Sequence, residues 1–270
     1  MVKLKWTDFI KYFLILMGLG VLFFFIKSLK LETIKLTLSQ LVYGDIVMVL
    51  LLTLVIVLIK GLRWKFLIRE TTKTDISASF AIGSVLAGFA AGTLTPGRGG
   101  EIAKPLMAKA TYGISLSRSI SVVFIEKMLE LSATVILSIA AIALLGGTVI
   151  GKTYPVITFA VLILVFIILL VRFTQMMNKF SKFIFRKIIF IESVRKKVLK
   201  LIDVFFTSLG VLKRKKVLAL FTSLSVFSDL LEVLKLYFIL NVLGVDIPFV
   251  YFVFALEASI LFALLTMVPG

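Results

Sequence analysis

The sequence contains neither cysteine nor histidine. Together those absences exclude disulfides, thiolate nucleophiles, imidazole bases and the commonest zinc ligands. Acidic residues are also scarce, with 14 Asp and Glu against 31 Lys and Arg, for a net charge of +17. The glycine-rich stretch at 96–100, PGRGG, carries no Gly-Lys-Ser or Gly-Lys-Thr, so it is not a nucleotide loop of the Walker type.

Apolar residues dominate instead. They make up 60% of the 270 residues, and the mean hydropathy is +1.14. Runs such as IVMVLLLTLVIVLI and VITFAVLILVFIILLV carry no charge over most of a bilayer thickness. The fold class expected is all-α: a single integral membrane domain, a polytopic helical bundle over residues 1–270. In a soluble protein a charge of +17 would suggest nucleic acid as partner. Beside these runs it points to basic loops at anionic lipid headgroups, so membrane lipids and no nucleic acid are expected.

The first 26 residues are basic and then apolar, like the start of a secretory signal. KSLKLETIK follows, without a small-residue cleavage site, so a retained first span is expected over 9–26. Further spans are expected at 46–68, 119–145, 154–171 and 217–243. The stretch 172–216 carries thirteen Lys and Arg against Glu192 and Asp203, which makes it a basic cytoplasmic loop and puts the N-terminus on the same side. Within that loop Phe180, Phe183, Ile184, Ile188, Ile191 and Val194 recur at helical spacing between cations, the pattern of helices lying on a membrane surface.

Charge counting conflicts with one more crossing over 77–95. A full crossing there would put the basic loop outside, and the conflict disappears if 77–112 is a re-entrant hairpin that enters from the cytoplasm and turns at TPGRGGE. A weak internal repeat extends the idea. LIKGLRWKFLIRETTKTDI (58–76) and LLEVLKLYFILNVLGVDI (230–247) each run through a cation, Arg63 or Lys235, to Asp-Ile, and a later Pro-Gly follows both. The reading is an inverted repeat whose second hairpin begins with the arm 248–270.

The candidate site is built on the first tip. Pro96, Gly97, Arg98, Gly99 and Gly100 supply turn residues and bare backbone N–H groups beside a cation, a combination suited to phosphate or carboxylate. Glu101 is expected in the first turn of the returning helix. Glu126 is expected to pair with Arg98 or Lys127, and Glu130 shares its helix face. Asp229, Glu232 and Lys235 are read as structural or coupling residues, with Glu232 and Lys235 as an ion pair. Glu257, Pro269 and Gly270 would form a second half-site. No metal site and no cofactor are expected.

These motifs together resemble a known family. Arg63-Trp64, LTPGRGGE at 94–101, the YGIS and VFIEKMLE that follow, and the late Pro-Gly are similar to the lysylphosphatidylglycerol synthase transmembrane-region family. The resemblance covers nearly the whole chain, and Pro-Gly-Arg-x-Gly-Glu is its most specific part. It implies a protein of the cell membrane that moves or handles lipids, with the family motif falling on Pro96, Gly97, Arg98, Gly100 and Glu101, and Glu126 on the next span. Family members continue past this last Pro-Gly, so the resemblance also implies a missing C-terminal end. The function expected is a lipid flippase or lipid transporter, more a transporter than an enzyme, with an anionic phospholipid or lipid-linked phosphate as partner. Homo-oligomers are compatible with this reading. The alternatives are a membrane enzyme acting on a lipid-linked phosphate and an accessory membrane subunit.

Overall fold

A computed structural model of the chain describes residues 42–93, 95–145 and 147–266, with the side chains of 96–98, 147–157 and 262–266 outside that description. The expected span 9–26 and the tip residues Pro269 and Gly270 therefore lie outside the described residues. Among the described residues the chain is helical without strands, as its apolar runs require: a membrane core leaves backbone amides no partner but each other.

The helices are α1 (Tyr43–Thr72), α2 (Ala78–Thr93), a 3-10 helix (Pro96–Ile102), α3 (Ala103–Tyr112), α4 (Leu116–Leu145), α5 (Gly147–Arg172), α6 (Thr174–Ile188), α7 (Glu192–Leu209), a short 3-10 turn (Gly210–Lys213), α8 (Lys215–Val242) and α9 (Phe249–Thr266). Helices α1, α4 and α8 are each long and apolar enough to cross a bilayer. Helix α5 bends by 90° into α6. The chain is a multi-pass helical membrane bundle.

Helix α4 is its axis and packs on α1, α3, α5, α7, α8 and α9. Its sequence explains the position. Ser119, Ser121, Ser132, Ala133, Thr134, Ser138 and Ala141 are small and buried, which lets neighbours approach closely. The hydroxyls of Ser121 and Ser132 donate to the carbonyls of Ser117 and Met128, each at 2.8 Å, so they add no unmet polarity. By contrast Leu50, Leu51, Leu54 and Val55 on α1 point outward, where only lipid tails would cover them. The main apolar core sits where Trp64, Leu67 and Ile68 of α1 meet Ile125 and Leu129 of α4 and Phe221 of α8.

Helices α6 and α7 pair beside this core. Phe180, Phe183 and Ile188 on α6 stay exposed, while Ile202, Phe205 and Phe206 on α7 turn inward. Asp203 joins the two helices by accepting hydrogen bonds from Lys182 Nζ (2.5 Å) and Asn178 Nδ2 (2.9 Å). These bonds hold its carboxyl below the ordinary value of 3.8.

Between α1 and α4 the chain makes a hairpin: α2 runs out, the 3-10 helix turns, and α3 returns against α2. Thr95 caps the turn. Its hydroxyl accepts from Gly100 N (2.6 Å) and donates to the Ala91 carbonyl (3.0 Å), which ties the tip to the last turn of α2. Gly100 is required by space: a Cβ there would overlap the Ala91 carbonyl and sit 2.7 Å from Gly92 N. Gly61 does the same service between α1 and α2, where a Cβ would come within 2.6 Å of Ile82 Cγ1. Gly100→Ala is expected to destabilise the bundle by about 1–3 kcal/mol through overpacking. Gly99→Ala, whose Cβ meets nothing within 4 Å, should leave the melting temperature unchanged; equal losses from the two variants would contradict this packing.

Candidate functional site

The hairpin lies against a set of charges that α1, α4 and α8 hold at the depth of the apolar core. Lys60 and Arg63 are one turn apart on α1, and Glu126 and Glu130 are one turn apart on α4, so each pair occupies a single helix face. Arg63 is fully buried. Its Nη2 donates to Glu126 Oε1 (3.0 Å) and Glu130 Oε1 (2.6 Å), and its Nη1 donates to Ser225 Oγ on α8 (2.8 Å). The planar guanidinium spreads its donors over two nitrogens, which lets one side chain meet acceptors on two helices at once.

The hairpin adds the next layer. Lys104 of α3 donates to Glu126 Oε2 at 2.5 Å and lies 3.4 Å from Glu101 Oε2 in the 3-10 turn. Its ammonium also stands over the Trp64 ring, 5.1 Å from the centroid. Lys127 of α4 bridges Glu101 Oε1 (2.5 Å) and Glu130 Oε2 (2.8 Å). On the far side Lys60 donates to Glu232 Oε1 of α8 at 2.6 Å and stands over Phe89 of α2. Four cations, Lys60, Arg63, Lys104 and Lys127, thus face four carboxylates, Glu101, Glu126, Glu130 and Glu232. All but Arg63 and Glu232 line one cavity of about 20 Å³, closed by Val85, Gly88 and Phe89 of α2. That is room for about one water molecule.

Several expectations change here. Glu126 is paired with Arg63 and Lys104, not with Lys127, because Lys127 faces the other carboxylates, Glu101 and Glu130. Glu101 lies in the 3-10 turn ahead of α3, not in the first turn of that helix. It meets side-chain ammonium groups, a stronger partner than a helix dipole. Glu232 pairs across helices with Lys60, and Lys235, its expected partner, forms no ion pair among the described residues.

The other candidates divide. Asp229 is within electrostatic reach of Lys60, Glu130, Glu232 and Glu257. Glu257 is buried on α9 and bonded to the Thr134 hydroxyl; its Oε2 has no hydrogen-bond partner, and it does not line the cavity. Gly99 is exposed and Gly100 half-buried. Pro96, Gly97 and Arg98 belong to the 3-10 helix, and their side chains are outside the described residues. Residues not chosen from the sequence, namely Lys60, Arg63, Lys104 and Ser225, carry much of the network. A signal existed for Lys60 and Arg63: ionisable residues inside an apolar run are site candidates by default, whichever their sign. Among the described residues no group of three or more carboxylates gathers as a metal site.

The fold is thus that of a multi-pass helical membrane bundle with ion-paired charges buried between α1, α4, α8 and the hairpin. The sequence model for the lysylphosphatidylglycerol synthase TM region matches residues 9–270. The chain belongs to that family, which is related to lipid handling. A search of curated proteins and a search of solved structures each found no match.

Arg63→Met is expected to cost about 3–5 kcal/mol of stability, because it leaves Glu126 and Glu130 short of a buried counter-charge. Denaturant unfolding in detergent micelles measures it, and an unchanged midpoint would contradict the assignment of Arg63 as the centre of the network.

Proposed function

We propose that the protein is a lipid flippase or lipid transporter of the cell membrane, which takes the phosphate of an anionic phospholipid or lipid-linked phosphate into the chamber beneath the hairpin. The observation that carries this reading is the pairing of four cations with four carboxylates inside the apolar bundle. A phosphate joins such a set at low cost only by substituting for a carboxylate, since an added unpaired charge in this setting is expensive. Glu101 is the carboxylate suited to leave. It is carried on the turn between two short helices, and its Oε2 is buried without a hydrogen bond. Lys127 is the cation suited to receive, because its side chain is 33% exposed while those of Arg63 and Lys104 are 0% and 6%.

Exchange of this kind requires motion. A cavity with room for one water excludes a phosphate, so the hairpin must move away from α1 and α4 to admit it. The Pro96–Glu101 turn, with Arg98 and the N–H of Gly99, would then bind the arriving anion from the other side. In this reading the N-terminus and residues 172–216 face the cytoplasm, and α6 and α7 rest on that leaflet with Phe180, Phe183 and Ile188 in the headgroup layer.

The test is translocation of a fluorescent anionic phospholipid in vesicles reconstituted with the protein. Lys127→Gln should slow it by roughly 10- to 100-fold, the worth of one hydrogen bond to a charged group. Arg98→Ala should slow it as well. Translocation at the unmodified rate in both variants would refute the exchange, and none by the unmodified protein would favour the accessory or enzymatic reading.

A further inference from the structure

A second cavity adjoins the charged chamber. It is a groove of about 320 Å³ between α4 and α5, and apart from Lys127 its lining is wholly apolar, with Phe124, Met128 and Leu131 on α4 facing Ile163, Phe166 and Ile167 on α5. The α4 residues fall at i, i+4 and i+7, one stripe of that helix, and Ile163, Phe166 and Ile167 form the matching stripe on α5. Most of its aromatic and aliphatic side chains are only partly buried, so the groove opens to the side of the bundle.

Lys127 is the residue shared by the two cavities. Its stem lines the apolar groove, while its ammonium reaches Glu101 and Glu130 inside the chamber. An apolar groove on a membrane protein would ordinarily be covered by whichever lipid tail lies nearest. This one has a cation in its wall, continuous with a set of exchangeable ion pairs. A molecule that fills both compartments has an aliphatic chain and an anionic group within reach of one lysine.

We infer that the α4–α5 groove is the acyl-chain site of the anionic phospholipid whose phosphate Lys127 receives. The inference rests on the proposed headgroup exchange and adds to it the second half of the ligand. The lipid then lies across the outer face of α4, on the side opposite α1, with its phosphate passing the Lys127 stem into the chamber. Selectivity follows from the pairing of the two compartments. A zwitterionic lipid of the same chain length fits the groove equally but brings an ammonium that opposes Lys127.

Photolabelling tests this. The purified protein is irradiated with a phosphatidylglycerol that carries a diazirine on one acyl chain, and the labelled peptides are mapped by mass spectrometry. A phosphatidylcholine with the same chain serves as the comparison. The expected result is labelling of 124–131 and 159–170, stronger for the anionic lipid by roughly tenfold, the contribution of one charge-assisted contact. Ile163→Trp should fill the groove and remove this labelling; Leu131→Phe, a smaller addition from the opposite wall, should weaken it in protein whose melting temperature is unchanged. If the anionic lipid still binds in a Lys127-dependent way while the label maps elsewhere, the groove is overturned and the headgroup reading survives. Equal labelling by both lipids, unaffected by Lys127→Gln, overturns the two together.

Discussion

A guanidinium cannot be left alone in the middle of an apolar bundle. Arg63 is fully buried, and an unpaired charge there would cost several kcal/mol, a large part of a domain's stability. Its two carboxylates on α4 and its hydroxyl partner on α8 are therefore conditions for folding α1 against its neighbours, and the three helices must meet at the level where those groups stand. Each carboxylate then needs its remaining oxygen satisfied. Glu126 takes Lys104 and Glu130 takes Lys127, and through those two ammonium groups the hairpin is drawn onto the bundle.

The same physics makes the hairpin separable. The inner link from Arg63 to Glu126 is dry, and with the Arg63 bonds to Glu130 and Ser225 it holds three long helices together. The outer link, between Glu101 and Lys127, joins a short 3-10 turn to the rim of the chamber through a lysine that is partly exposed. Ion pairs at such a rim are the ones a competing phosphate can replace at little cost, because water and headgroups compensate the charges as they part. A lipid-handling protein needs this division between a rigid charged frame and an exchangeable edge. Gly100 and Gly61 let the hairpin sit close enough for the edge to form, since a side chain at Gly100 would overlap the backbone of α2 and one at Gly61 would collide with the Ile82 side chain.

Much of this was readable from the chain itself. The apolar runs identified α1, α4, α5, α8 and α9 as helices, and TPGRGGE identified a turn, because Pro and Gly act through backbone geometry that needs no tertiary partner. Glu101, Glu126 and Glu130 were legible as odd residues, and the structure brings all three to one cavity. Their partners were not. Ion pairing between helices depends on which faces meet, and Arg63 and Glu126 are 63 positions apart, so spacing along the chain says nothing of their contact. Local pairing rules favoured Glu232 with Lys235, three positions on, whereas the packing of α8 on α1 supplied Lys60 instead. The proposed second hairpin tip at Pro269 and Gly270 falls outside the described residues, and Arg63 and Lys235, the cations matched by the expected repeat, have unlike surroundings.

The central claim is that the ion-paired hairpin closes the chamber and must separate from α1 for a headgroup to enter. The absence of native cysteine allows a clean test by cross-linking. A Cβ at Gly61 would lie 3.4 Å from Ile82 Cβ, close to the roughly 3.5–4.5 Å that a disulfide spans, so Gly61→Cys with Ile82→Cys can lock α1 to α2 without touching any charged residue. Translocation of anionic phospholipid in reconstituted vesicles is then measured before and after reduction. The account predicts that the oxidised protein stays folded but idle and that reduction restores transport; transport at the same rate in the locked and reduced forms would contradict it.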